Sequence, residues 1–180
     1  VLLRFNSTGT LDSTFGTNGV VTYNSMTYSS DSAEAVVIQL DGKIVVAGYR
    51  GLTTGFDVLV LRYNSAGTLD DTFGGGGVIQ GYALDMSMQE EGKIVIVGFT
   101  VSHGNMDLLV LRYNSNGTLD NTFGTNGIVT YGSANVADSG YAVAIQSDGK
   151  IVVTGEPMVV LRYNSDGKLD NSFGVDGVVT

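Results

Sequence analysis

The stretch Leu61-Arg62-Tyr63-Asn64-Ser65-Ala66-Gly67-Thr68-Leu69-Asp70-Asp71-Thr72-Phe73-Gly74 decides the fold, because the chain carries four versions of it. They begin at Leu3, Leu61, Leu111 and Leu161, spaced by 58, 50 and 50 residues. Self-similarity at such a period marks a repeat architecture, in which each unit buries its apolar surface against the next. Whatever recurs in every copy is framework, so chemistry is to be sought in what does not recur.

Upstream of Leu61 the chain reads as strands. Val20–Tyr23 is a short β-branched run, Ala33–Gln39 a second strand and Lys43–Tyr49 a third. Asp41-Gly42 is a hairpin signal between the last two. Asp57–Tyr63 is the fourth strand. The same order recurs over 78–114 and 128–164, with hairpin signals at Glu91-Gly92 and Asp148-Gly149. Nothing holds a helical period over a useful length. Four short strands in succession predict an antiparallel meander. Runs such as Val58-Leu59-Val60-Leu61 are apolar on both faces, so both faces of each sheet need cover. Stacking the sheets on copies of themselves supplies it. The expected fold class is all-β: β-propeller-like tandem four-stranded antiparallel blades.

A linker of constant length follows each copy. Asn6 to Val20, Asn64 to Val78, Asn114 to Ile128 and Asn164 to Val178 are each 14 residues. This spacing puts residues 1–180 in a single repeat domain. Residues 1–6 read as the last strand of a preceding blade. Residues 20–64, 78–114 and 128–164 read as three complete blades, and 178–180 as the first strand of a following one. The expected partners are therefore further blades of a longer chain or other copies of itself, assembling into rings or fibres. The chain begins with Val and carries no secretion signal, which reads as processing or as a piece of a longer protein.

These motifs resemble a known family. The pattern Leu-Arg-Tyr-Asn-x-x-Gly-x-Leu-Asp-x-x-Phe-Gly-x-x-Gly, followed by Ala-Val-x-Ile-Gln-x-Asp-Gly-Lys-Ile-Val-Val-x-Gly, is similar to the delta-60 repeat of β-propeller-like modules. The resemblance spans essentially the whole chain. It is blurred in the second copy, where Leu84-Asp85-Met86-Ser87-Met88-Gln89-Glu90-Glu91 departs from the pattern. It implies a propeller-like architecture and a place in large secreted or surface-associated bacterial proteins, mostly without an assigned activity.

Composition narrows the chemistry. The 180 residues contain no Cys, which excludes disulfides, thiolate nucleophiles and Cys-bound metals. The net charge is −9. Of nine basic residues, Arg4, Arg62, Arg112, Arg162, Lys43, Lys93 and Lys150 recur with the repeat, and only Arg50 and Lys168 are left over. Two residues make no basic stripe, so neither nucleic acid nor an anionic membrane is an expected partner. No stretch is long enough for a membrane span, and no membrane insertion is expected.

Each signature Arg precedes an Asp by eight residues: Arg4/Asp12, Arg62/Asp70, Arg112/Asp120 and Arg162/Asp170. They could form a ring of cationic ligand-binding groups. One pair per repeat favours a structural ion pair instead, tying each linker to its blade with bidentate geometry. Phe15, Phe73, Phe123 and Phe173 could stack on a ligand, but read better as plugs between neighbouring blades. The acidic linkers superficially resemble Ca²⁺ loops. Asn64, Asp70 and Asp71, like Asn164, Asp166 and Asp170, lack the spacing of an EF-type loop. Turn chemistry accounts for them, so no cofactor is expected, with Ca²⁺ the one ion the loops bring to mind. Gly74-Gly75-Gly76-Gly77 resembles a phosphate loop in composition alone. His103, between Ser102 and Asp107 on one loop, cannot take triad geometry and reads as a solvated loop residue. Asn6-Ser7-Thr8 and Asn116-Gly117-Thr118 match the glycosylation triplet at Asn6 and Asn116.

Length variation is confined to one side of the repeat. From Val20 to Lys43 is 23 residues and from Ile128 to Lys150 is 22, but Val78 to Lys93 is only 15. Gly48 to Asn64 and Gly98 to Asn114 are 16, but Gly155 to Asn164 is 9. In a meander these variable connections share one face, where binding sites on rigid scaffolds collect. Tyr23, Tyr49, Tyr82, Phe99 and Tyr131 lie at the strand ends there and are, with His103, the candidate ligand-binding residues. The alternative is that these rings pack the rims of adjacent blades. The expected function is a non-enzymatic extracellular scaffold, secreted or at the cell surface, serving adhesion or matrix through glycans or surface proteins. Two alternatives stand beside it: a lectin-like module on the variable face, and a polysaccharide-active propeller enzyme working in a central channel.

Overall fold

Short β-branched and aliphatic runs punctuated by Gly turns leave no register for a helix, and the described residues contain none. The computed structural model describes residues 1–24, 30–52, 55–74, 79–102, 104–132 and 136–180. In chain order the strands are β1 (Leu2–Leu3), β2 (Val20–Val21), β3 (Asp31–Ile38), β4 (Ile44–Leu52), β5 (Gly55–Tyr63), β6 (Tyr82–Met88), β7 (Ile94–Ser102), β8 (Asn105–Tyr113), β9 (Ile128–Tyr131), β10 (Ser139–Ile145), β11 (Ile151–Glu156), β12 (Val159–Tyr163) and β13 (Val178–Val179). The antiparallel sheets are β1-β2, β3-β4-β5, β6-β7-β8-β9 and β10-β11-β12-β13. Residues 79–81 take the fourth place beside β5: Val58 N–H donates to Ile79 C=O at 2.8 Å and Gly81 N–H to Phe56 C=O at 2.9 Å. The fold is thus a tandem of three blades with a flanking strand pair, and the array is not closed.

The blade boundary differs by one strand from the sequence reading. Residues 178–180 were expected to open a following blade, and 128–131 to open their own. Instead Val178–Val179 pairs with β12, and Ile128–Tyr131 pairs with β8. The linker explains the shift, because it folds back on the strand it follows. Asp120 N–H donates to Arg112 C=O, and Arg112 N–H to Gly127 C=O, both at 2.9 Å. The chain therefore emerges beside β8 and satisfies that strand's open edge. The expected start of the second blade at Val78 lies outside the described residues.

Each first strand carries a bulge at the same place: between Ala33 and Ala35, Ala83 and Asp85, and Gly140 and Ala142. The recurrent Gly of the second strand makes room for it. A Cβ on Gly48 would come within 1.9 Å of Ser32 C=O, and one on Gly98 within 1.8 Å of Tyr82 C=O. Neither glycine has positive φ, so the requirement is close approach of backbone to backbone. The blurred segment 84–91 still forms β6 and its turn, with Met86 buried in the core. The hairpin turns close as expected: Gly92 takes a φ of 78° and donates to Gln89 C=O.

The middle blade shows why its strands are apolar on both faces. In β7, Ile94 and Ile96 face the first blade with Leu109 and Leu111, against Val45 and Ala47. Val95 and Val97 face the third blade with Leu108 and Val110, against Ile151, Val153, Leu161 and Tyr163. A period of two, with a partner on each side, buries every residue of Ile94–Val97 to 1 % exposure or less. Each such side chain contributes about 1.5–3 kcal/mol. Facing the two-stranded pair, Ile44 and Val46 are covered by Phe15, Leu2 and Val21, whereas Val36 and Ile38 on the same face are exposed. The first strands β3, β6 and β10 lie against one another along the array. There Asp85 accepts a hydrogen bond from Val143 N–H at 2.8 Å, satisfying a donor on the edge strand β10. No helix among the described residues is long and apolar enough to cross a membrane.

Candidate functional site

The two ends of the blades are chemically different. At one end lie the hairpin turns and the linkers, and here the signature residues converge. The Arg62 side chain leaves β5 and lies flat on the Phe73 ring, its guanidinium carbon 4.5 Å from the centroid. Its Nε donates to Asp70 Oδ2 at 3.0 Å, and Nη1 crosses to Ser115 C=O of the next linker at 2.8 Å. Arg112 repeats this with Asp120 at 2.7 Å, Ser165 C=O at 2.6 Å and Phe123 at 4.5 Å. Arg4 bonds Asp12 and Ser65 C=O and covers Phe15. Arg162 bonds Asp170 at 2.8 Å and covers Phe173.

The Asp of each set is fully engaged. Asp120 Oδ1 accepts from the Thr122 hydroxyl at 2.7 Å and N–H at 3.1 Å, while Oδ2 takes Arg112 and, at 2.9 Å, Lys93 from the hairpin turn. Because Oδ1 belongs to Thr122, Arg112 cannot straddle the carboxylate. It bridges Oδ2 and the Thr122 hydroxyl instead, which corrects the bidentate expectation. Lys43 and Lys150 approach Asp70 and Asp170 in the same way, at 3.4 and 3.2 Å. These contacts set the protonation of the acids. The Thr72 hydroxyl and N–H, with Arg62, pull Asp70 down to about 2 against the opposing effect of desolvation. Desolvation pushes Asp120 up, but Lys93, Thr122 and Arg112 outweigh it and hold the carboxyl well below its usual range. Ser172 does the same first for Asp170, and Thr14 for Asp12.

The signature sets of Arg4, Arg62 and Arg112 therefore sit in seams, each joining its linker to the next one along the chain. Phe15 and Phe123 are wholly buried. Gly16 and Gly124 N–H groups donate across the seam to Ala66 and Asp166 carbonyls, at 2.8 and 2.9 Å. Asn64 Oδ1 accepts from the Ala66 and Thr68 N–H groups, as an Asx turn does. Asn6 and Asn116 are exposed in the same turns. Among the described residues no cluster of His, Asp and Glu could hold a metal ion.

The opposite end carries the variable connections. In the first two blades those between the second and third strands are longer ribbons than the sequence implied: pairing continues to Leu52–Gly55 and Ser102–Asn105. Arg50, outside the repeat, bonds buried Asp57 across the first ribbon at 3.0 Å. Three of the predicted aromatics meet here. Tyr49 lies 4.6 Å from Tyr82, and Tyr82 stacks on Phe99 at 4.4 Å. Phe56, absent from the sequence prediction, completes the group at 5.6 Å from Tyr49 and 4.4 Å from Tyr82. It stands opposite Gly51 in the ribbon, a pairing that the sequence pattern did not signal. The four rings straddle the seam between the first two blades. Tyr49, Tyr82 and Phe99 are half-buried, while Phe56 is 38 % exposed. Tyr23 lies apart, in a cleft with Leu2, Asp31 and Tyr63. Tyr131 packs on the core between the second and third blades. His103 and Gly75–Gly77 lie outside the described residues.

No curated protein matches the chain. A family profile described as a domain of unknown function (DUF5122) beta-propeller matches residues 1–15, 39–73, 89–123 and 146–173, more than half of the chain. The matched stretches hold the hairpin turns, the signature strands and the linkers up to Phe, which are the parts that build the seams. The chain belongs to this family of β-propellers, of the delta-60 repeat type.

Proposed function

We propose that this chain is a non-enzymatic extracellular scaffold, secreted or at the cell surface, that binds a glycan or a surface protein through the end carrying the variable ribbons. The observation behind this reading is the contrast between the two ends. At the linker end the recurrent charged groups are paired within their own repeat, and Arg4, Arg62 and Arg112 also reach across to the next linker. At the ribbon end the connections vary in length, and four aromatic rings form a partly exposed cluster across a seam. Flat rings beside polar loops suit the apolar faces of sugars as well as a protein surface. The ring cluster favours the lectin-like form of the reading. A glycan array probed with the wild-type chain and with Phe56→Ala tests it. Binding lost in the variant at unchanged melting temperature supports the proposal. Equal binding by both chains, or turnover of polysaccharides by the wild type, defeats it.

A further inference from the structure

The two ribbons carry the same acid in the same place, but with different residues opposite it. Asp57 pairs across the first ribbon with Arg50, and Asp107 across the second with Thr100. Arg50 Nη2 neutralises Asp57 at 3.0 Å. The Thr100 hydroxyl is turned elsewhere and donates to Gln80 C=O at 2.9 Å. Asp107 is half-buried, and a Cβ on Gly132 would come within 2.3 Å of its Oδ1. Among the described residues its carboxylate has neither an ion pair nor a hydrogen bond.

Strand alternation puts this acid in the seam that holds the rings. In β8, Leu109 and Leu111 face the first blade, so Asp107 faces it too, with Thr100 beside it. In β5, Val58 and Val60 face the second blade, and so does Phe56, with Tyr49 opposite Val58. Asp107 and Phe56 therefore lie on facing walls of one seam, at its ribbon end. There Tyr82 meets Tyr49 at 4.6 Å and Phe56 at 4.4 Å. Arg50 and Asp57 have the other parity and point away from this seam, on the face of Ile44 and Leu61. Ring faces carry negative charge density and attract cations. Among the described residues the mouth of the seam thus offers a carboxylate and aromatic faces, and no cation to answer them.

We infer that this mouth takes a cationic group, and that the glycan bound at the ribbon end is an amino glycan. Its ammonium group does for Asp107 what the Arg50 guanidinium does for Asp57. The inference rests on the lectin-like reading above and adds the charge of the sugar. An ammonium seated in the mouth pairs with the carboxylate and lies against the rings, while the apolar face of the pyranose stacks on Phe56. An N-acetylated sugar keeps the stacking and loses the ion pair. A uronate glycan brings its own carboxylates up to Asp107 and is repelled.

The test titrates the full chain by isothermal calorimetry with oligomers of glucosamine, N-acetylglucosamine and galacturonic acid, and with oligolysine. At about pH 5.5 the Asp107 carboxylate and the amines are both charged. The glucosamine oligomer should bind about tenfold more tightly than the acetylated one, and the galacturonate oligomer weakest. Added salt should narrow the gap. Asp107→Asn should bring the glucosamine and acetylated affinities together. Thr100→Arg should do the same, because it gives the second ribbon the resident cation of the first, and it serves if Asp107→Asn fails to fold. Equal affinity of the wild type for the two oligomers refutes the inference and leaves the lectin-like reading standing. A preference that survives in both variants refutes it too, since Asp107 is then not the group that reads the charge. Oligolysine that binds where the glucosamine oligomer does not gives the mouth to a basic protein and overturns the amino-glycan assignment. Binding of no sugar at all removes the lectin-like reading and the inference with it.

Discussion

Replacing Arg112 with Ala removes the best-buried of the four struts and measures what a seam is worth. The Arg112 and Asp120 side chains are 4 % and 5 % exposed, so the carboxylate left behind has little access to water. Breaking a buried pair costs about 3–5 kcal/mol. Lys93, still 2.9 Å from Asp120, moves the loss to the lower end, about 3 kcal/mol. The guanidinium also leaves the Phe123 face, for about 1 kcal/mol more. The sum, about 4 kcal/mol, corresponds to a fall of about 10 °C in melting temperature for a chain of this length. Thermal melts followed by circular dichroism read the total. Amide exchange at Gly124 N–H, which donates across the same seam to Asp166 C=O, shows whether the loss is local. Arg4→Ala is the internal control, because the Arg4 and Asp12 side chains are 30 % and 26 % exposed and solvent screens them. An Arg112→Ala melt within about 2 °C of wild type would refute the reasoning, as would an equal loss from Arg4→Ala.

Three further predictions follow from burial and protonation. The carboxyls of Asp12, Asp70, Asp120 and Asp170 are all lowered by folding, so their stabilisation is present above the unfolded value near pH 3.9 and is lost as pH falls through the folded ones. Melting temperature should be flat above about pH 5 and drop steadily below about pH 4, and a profile without that drop would contradict the role given to these acids. Tyr163 is 1 % exposed and its hydroxyl has no hydrogen-bond partner among the described residues. Tyr163→Phe should therefore leave stability unchanged or raise it by up to about 1 kcal/mol in urea melts, and a clear loss would reveal a partner. Gly98→Ala sets a Cβ 1.8 Å from Tyr82 C=O and should cost more than about 4 kcal/mol, whereas Gly42→Ala meets open space and should cost only the left-handed backbone penalty of about 1–2 kcal/mol. Comparable losses in the two would show that the bulge can relax.

The candidate site was only partly legible in the sequence. The pairing of Arg62 with Asp70 could be read from an offset shared by all four copies. Its second partner could not, because Ser115 C=O lies 53 residues away and carbonyls leave no trace in side-chain identity. Tyr49, Tyr82 and Phe99 were legible as aromatics at strand ends, and their meeting depends on how two blades are placed side by side. Phe56 was missed because it lies in a connection that only the ribbon pairing shows to be a strand. Tyr23 and Tyr131, equivalent on paper, lie in other seams.

By itself the sequence determined the repeat, the strands and the need for cover on both faces, since these follow from local pattern: a period of two, Gly turns and one signature in four copies. The hand-over between blades was decided by tertiary structure. A linker of constant length serves equally to pass the chain to a new sheet or to return it to the old one. The choice falls to hydrogen bonds such as Arg112 N–H to Gly127 C=O, which close the linker on its own strand. The same fold-back carries each linker's Asp and Phe under its Arg and leaves the Arg Nη1 to reach the next blade. A motif that reads as an ion pair within one blade is, in three dimensions, the joint between two.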